Sequence, residues 1–158
     1  MANPFAKSRT FHRIGHVTNT TPLKVFPTPA GVAVVTTKGR KSGKPRARAM
    51  RAVRDGDRVY AVSILGPRAD WIANLKADPN VTIKLGGKNH RATGRVIVDP
   101  DELAKAAELY RPVAGWYDYL DYLNFVWDIP TRSKLLRVHD EWFEKGTPVV
   151  FELQPNDR

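Results

Sequence analysis

From Gly31 onward, apolar and polar residues fall into short blocks whose period changes several times along the chain. Gly31-Val-Ala-Val-Val-Thr-Thr37 is a continuous β-branched run, the pattern of a strand buried on both faces. Arg46 to Arg54 reads as a second strand, and Arg54-Asp-Gly-Asp57 supplies a tight turn into a third, Arg58–Leu65. Residues 70–77 predict a short helix, with Asp70 at its N-cap and Pro79 beyond its end. Val81, Ile83 and Leu85 alternate with Thr82 and Lys84, a half-buried strand that Gly86-Gly87 turns into another, His90–Val98. Asp99-Pro-Asp-Glu102 starts a helix, with Asp at the cap and Pro in the first turn. Leu103, Ala106, Ala107 and Tyr110 then share its apolar face, and Pro112 closes it. The aromatic-dense stretch Trp116, Tyr117, Tyr119, Tyr122, Phe125 and Trp127 predicts a second helix ending before Pro130. His139-Asp-Glu141 reads as a solvated loop or helix start, and Thr147–Leu153 as the last strand.

Tight hairpins enforce antiparallel pairing, because parallel neighbours need long crossovers. About six short strands with flanking helices therefore predict an α+β fold built on a small antiparallel β-barrel. Residues 1–30 follow a different pattern: basic residues, two histidines, four prolines and isolated apolar positions. They read as an N-terminal arm, with a short helix around Phe11–Val17, ahead of a barrel domain at 31–158.

Composition narrows the function classes. A chain of 158 residues suits one domain, and the absence of cysteine excludes disulfides and thiol chemistry. No apolar run approaches the roughly 20 residues a membrane-spanning helix needs, and the first residues lack a signal-peptide pattern, so a cytoplasmic location is expected. His12 and His16 lie four apart, but with His90 and His139 they form no ligand set of the three or four groups a metal needs. Nucleophile-elbow and dinucleotide-fingerprint patterns are missing. The formal net charge of +10 calls for an anionic partner. That charge is concentrated between Lys38 and Arg58, where Asp55 and Asp57 are the two acids.

Within that stretch, Gly39 and Gly43 punctuate Lys38, Arg40, Lys41, Ser42, Lys44, Arg46 and Arg48. Glycine lets backbone N–H groups approach a ligand, and arginine forks match phosphate or carboxylate oxygens. Such a turn is an anion clamp, a solvated hairpin tip or a nucleic-acid patch. It is not a P-loop, since Gly39 and Gly43 are too close and Pro45 follows Lys44. The nucleic-acid reading lacks stacking aromatics between Lys38 and Arg58.

Three blocks carry a family resemblance: Thr36-Thr-Lys-Gly-Arg-Lys-Ser-Gly-Lys-Pro-Arg46, Arg54-Asp-Gly-Asp-Arg-Val-Tyr60 and Asp70-Trp-Ile-Ala-Asn-Leu-Lys-Ala-Asp-Pro-Asn-Val81. In order and interval they resemble the deazaflavin-dependent nitroreductase and quinone reductase family, from about Val34 to about Val98. The resemblance implies a split β-barrel related to flavin-mononucleotide-binding proteins and a cofactor, coenzyme F420, whose tail carries a phosphate and glutamates. It implies hydride transfer to an electron-poor acceptor such as a quinone, nitroaromatic or enone. Alternatives within the superfamily are a flavin mononucleotide (FMN) enzyme and a non-catalytic barrel that binds cofactor or lipid. By motif, Arg40, Lys41, Ser42, Gly43, Lys44, Arg46 and Arg48 would bind the phosphate and tail. Val62, Ser63, Ile64 and Leu65 would back the ring, and Trp71 and Asn74 would flank it. No catalytic residue is identified; Tyr117, Tyr119 and Tyr122 are candidates for donating to a substrate oxyanion, though a tyrosine-rich helix face is more often core or interface. Two departures stand out: Ser63-Ile-Leu-Gly-Pro67 replaces a Ser-Lys/Asn-Gly-Gly pattern, and Arg48-Ala49 replaces Asn/Thr-Pro. A small-molecule acceptor and a homodimer are the expected partners.

Overall fold

Alternation decides which side chains fill the interior. The computed structural model describes residues 20–112, 115–126 and 128–155. Its strands are β1 (Val32–Lys38), β2 (Pro45–Asp55), β3 (Arg58–Ser63), β4 (Asn80–Leu85), β5 (Lys88–Val96) and β6 (Thr147–Leu153). They close in the order β1-β2-β3-β6-β5-β4, every pair antiparallel and β4 returning to β1. Ala33, Val35, Ala52, Val59, Ala61, Ile83, Ala92, Val149 and Phe151 form the barrel core. The helices are α1 (Asp70–Ala77), α2 (Pro100–Tyr110), α3 (Trp116–Val126) and α4 (Arg132–Lys145).

Alanines on four strands leave room for two large rings. Trp71 of α1 stacks on Phe151 with centroids 6.4 Å apart, and Ile72 and Leu75 are buried beside it. Helix α1 thus packs into the core. Gly94 permits this: a Cβ there would lie 2.6 Å from the Phe151 ring and 2.8 Å from Leu75. A second cluster, Tyr60, Ile97, Ala106 and Val150 with Leu103, Leu109 and Phe143, seats α2 and α4 on the outside of β3 and β6.

The barrel is split between β2 and β3. Strand β2 pairs with β1 from Pro45 to Arg51 but with β3 only from Ala52 to Asp55. Its first half leaves β3, and the Ala49 N–H donates to Thr20 Oγ1 at 3.1 Å instead of to a strand. Residues 20–25 are helical, and the following segment docks on the β4–β5 turn, where Gly86 N donates to Thr28 Oγ1 at 2.7 Å. Lys84 Nζ donates to the carbonyls of Lys24 and Phe26, both at 2.9 Å. The helix expected at Phe11–Val17 lies outside the described residues.

Several boundaries differ from the sequence reading. Strand β3 ends at Ser63, because Gly66 at φ 68° and a 3-10 turn at Gly66–Arg68 redirect the chain. Ala69, not Asp70, occupies the N-cap of α1, and Asp70 is its first residue. The solvated loop expected at His139-Asp-Glu141 is instead the middle of α4, capped by Thr131 and stopped at Gly146, with Leu135 and His139 buried. At Asp99 the expected cap is present, its carboxylate accepting from Glu102 N at 2.9 Å.

Candidate functional site

The basic loop between β1 and β2 folds on itself before it can bind anything. Gly39 N donates to Lys44 O at 2.9 Å and Gly43 N to Gly39 O at 2.7 Å, while Lys44 N donates to Ser42 Oγ at 3.3 Å. Gly43 has φ 66°, and a Cβ on Gly39 would meet Ser42 Oγ at 2.7 Å. Glycine at 43 is therefore required by the left-handed backbone of the turn, while a side chain at 39 would make Ser42 turn aside. Arg40 ties it to α1: its backbone N and its Nη1 both donate to Asn74 Oδ1 at 3.1 Å, and its Nη2 meets Asp70 Oδ1 at 3.1 Å. Asn74 in turn donates to Thr37 Oγ1 at 3.3 Å. Arg40 and Asn74 are thus partnered within the protein, as structural braces of the loop.

Lys41, Lys44 and Arg46 are exposed, and their side chains make no ion pair or hydrogen bond among the described residues. Arg48, two positions further along β2, is part-buried; loss of hydration lowers its pKa, with the Asp70 carboxylate opposing that shift. At the end of β3, Val62 and Ser63 are buried, and Ser63 Oγ donates to Gly66 O at 2.9 Å. Ile64 and Leu65 are exposed and make an apolar lip on the segment leading to Asp70. Trp71 is only 7% exposed and sits in the core, a helix anchor with little surface left for a ligand.

On the other side of β2, α3 is held by a buried ion pair between Arg51 and Asp118. Arg51 Nη2 also donates to the carbonyls of Tyr110 at 2.7 Å and Pro112 at 2.5 Å, with its guanidinium 4.9 Å from the Tyr110 ring centroid. Beside this pair, burial and the Asp118 charge push the Asp121 carboxyl up to about 7. Burial and Asp121 together push the Tyr117 hydroxyl up to about 12. Tyr122 is buried, whereas Tyr117 and Tyr119 are half-buried. Trp116, Leu120 and Leu123 form an exposed apolar stripe at helical spacing, Trp116 being 68% exposed. His12, His16 and Trp127 lie outside the described residues. A depression of about 290 Å³ covers the outer face of β1 next to the loop, lined by Thr36, Pro45, Ala47, Thr82 and the arm's Lys24.

Sequence reasoning missed Asp70 as the partner of Arg40 and the whole Arg51–Asp118–Asp121 group. Charge pattern offers no signal for these, since their meeting depends on which face of α1 and α3 touches the barrel.

The profile of the F420H(2)-dependent quinone reductase family matches residues 7–132. The chain belongs to this family. F420H(2)-dependent quinone reductases of two Mycobacterium tuberculosis strains, CDC 1551 and H37Rv, are each 39% identical over 70 residues, covering 41% of this chain and 47% of theirs. The chain thus matches about half the length of these quinone reductases. Among solved structures, a domain-swapped dimer aligns with TM-score 0.55 and 19% identity over 92% of this chain and 94% of that one. A candidate 5-nitroimidazole antibiotic resistance protein of Bacteroides thetaiotaomicron aligns with TM-score 0.50 and 17% identity, over 80% and 74%. At such identities these two structures support the barrel fold of the family member and nothing finer.

Proposed function

We propose that the chain is a cytoplasmic F420-dependent oxidoreductase, passing hydride from the reduced deazaflavin to an electron-poor acceptor, with quinones the first class to test. The observation that carries this reading is the folded basic loop, on whose surface Lys41, Lys44 and Arg46 are unpaired among the described residues. A phosphate followed by several carboxylates fits that donor set, because each cation gains a charge-assisted hydrogen bond without breaking an existing one. Arg40, Asn74, Gly39 and Gly43 hold the loop's shape; Lys41, Lys44 and Arg46 contact the tail, and Ser42 and Gly43 bring backbone close to it. Val62 and Ser63 form the wall behind the ring, and Ile64 and Leu65 supply apolar contact. Trp71 acts from below by fixing α1 in the barrel.

Bound reduced F420 supplies two electrons as hydride, so the protein's part is to orient the partners and stabilise developing negative charge. Tyr117 suits the second of these roles, because its hydroxyl is only partly buried and carries a proton to donate. Tyr119 shares its partial exposure, while the burial of Tyr122 favours a packing role. The stripe of Trp116, Leu120 and Leu123 offers an apolar wall for an acceptor ring. The division into an N-terminal arm at 1–30 and a barrel domain at 31–158 belongs to this reading, and a homodimer is the assembly we expect.

The test is a fluorescence titration of F420 into the parent and the Lys41→Ala/Arg46→Ala double variant. The variant should bind at least tenfold more weakly while its unfolding midpoint stays put, since both side chains are exposed. Equal affinity would remove the loop from the site.

A further inference from the structure

Strand β2 changes partners at Arg51. Arg51 pairs with Val32 of β1, and the next residue, Ala52, is the first to pair with β3. Arg51 therefore stands at the closed end of the split. Successive side chains of a strand point to opposite faces, and Met50 and Ala52 pack in the core, so Arg51 points outward. Continuing the β2–β3 register by two residues sets Val62 and Ser63 across from Arg51 and Met50. Those two are the wall assigned above to the ring.

From that position the guanidinium joins three elements. Its Nη1 donates to Asp118 in the first turn of α3. Its Nη2 donates to the carbonyls of Tyr110 and Pro112, at and just beyond the end of α2. A cation suits the carbonyl end of one helix, and a carboxylate suits the amide end of the next. Asp118 and Tyr122, one turn apart, form the buried side of α3. Trp116, Leu120 and Leu123 lie on the opposite side, with Tyr117 between the two. A buried ion pair often holds a fold no better than apolar residues of similar volume. This one also leaves Arg51 Nε buried without a partner among the described residues. What an apolar contact lacks is direction. Two apolar faces can turn against each other, whereas three oxygen acceptors on one planar fork select a single rotation of α3. A turn by one residue, about 100°, would carry the exposed stripe away from its place.

We propose that Arg51 is a positioning residue for the acceptor: by locking the rotation of α3 at the closed end of the split, it fixes Tyr117 and the wall of Trp116, Leu120 and Leu123 beside the ring. Arg51 touches neither ligand and acts through α3. This rests on the reading that F420 binds in the split and that α3 receives the acceptor.

The experiment uses the full chain as parent, Arg51→Lys and the double variant Arg51→Met/Asp118→Leu. Each is titrated with F420, assayed with reduced F420 and a water-soluble naphthoquinone, and unfolded in urea. The double variant should keep an unfolding midpoint near the parent's, because neither charge is left behind. It should bind F420 within about twofold of the parent, while its KM for the quinone rises about tenfold and kcat changes less than about threefold. Arg51→Lys keeps the charge and loses the planar fork, so its KM should fall between the two. A folded double variant with the parent's KM, the parent being active, overturns this inference alone, because α3 is then placed without the fork. A fall in kcat that follows the folded fraction, at unchanged KM, makes Arg51 a structural residue and also overturns it. F420 affinity that weakens as much as KM rises gives Arg51 to the cofactor and overturns the acceptor assignment. If the double variant does not fold, Arg51→Lys decides by the same three readings. A parent that binds no F420 or reduces no quinone overturns the functional reading itself, and this inference with it.

Discussion

Three arginines in a short stretch of sequence have three different fates. Arg40 braces a turn, Arg51 is buried against a carboxylate, two carbonyls and an aromatic ring with its Nε left unpartnered among the described residues, and Arg48 is half-sunk without a partner among them. Equal formal charge conceals this, because the energy of a charge is set by its hydration and its neighbours. The same holds for acids. Asp121 loses hydration beside the charged Asp118, and its carboxyl rises to about 7 from an ordinary 3.8. Between those values the folded chain binds a proton that the unfolded chain has released, so stability falls as pH rises through the window. Asp121→Asn removes the penalty. Its unfolding midpoint should exceed the parent's by clearly more at pH 8 than at pH 4; an equal difference at both would contradict the assignment. The loop residues around Gly39 and Gly43 are legible in the sequence because glycine spacing and local charge decide a turn. Asp121 is not, because its surroundings come from segments far apart in the chain.

At the scale of elements, a buried ion pair between Arg51 and Asp118 ties α3 to the barrel. Asp118→Ala would leave Arg51 buried with its carboxylate removed, and breaking a buried pair in this way costs about 3–5 kcal/mol. Replacing both members, as Arg51→Met/Asp118→Leu, should cost much less, because neither charge is left behind. Urea unfolding of the two variants checks this; equal destabilisation would mean that the pair's electrostatics are not what holds α3. Hairpins and the capped helix at Asp99 are readable because their signals are local: Gly56, Gly86-Gly87, and an aspartate before a proline. Helix α4 escapes such a reading because its apolar positions, Leu135, His139, Trp142 and Phe143, include a histidine and a tryptophan among many charges. The family motif implies Trp71 beside the cofactor ring, and its indole stacks on Phe151 inside the barrel, the anchoring role that is compatible with it. A sequence motif does not say which face of a helix points inward.

For the whole molecule, antiparallel closure follows from short strands and tight turns. The split does not, because it depends on β2 outrunning its partner: Pro45–Arg51 pair only with β1. That opening runs along the stretch of β2 that carries Arg46 and Arg48, next to the basic loop. Among the described residues no helix is long and apolar enough to cross a membrane. In the reading proposed above, this cationic split receives coenzyme F420. The most direct test is a fluorescence titration of the purified protein with F420, run in parallel with FMN. Saturable binding of F420 at micromolar concentrations or below, with FMN at least tenfold weaker, is the predicted result. Preference for FMN, or binding of neither, would contradict it.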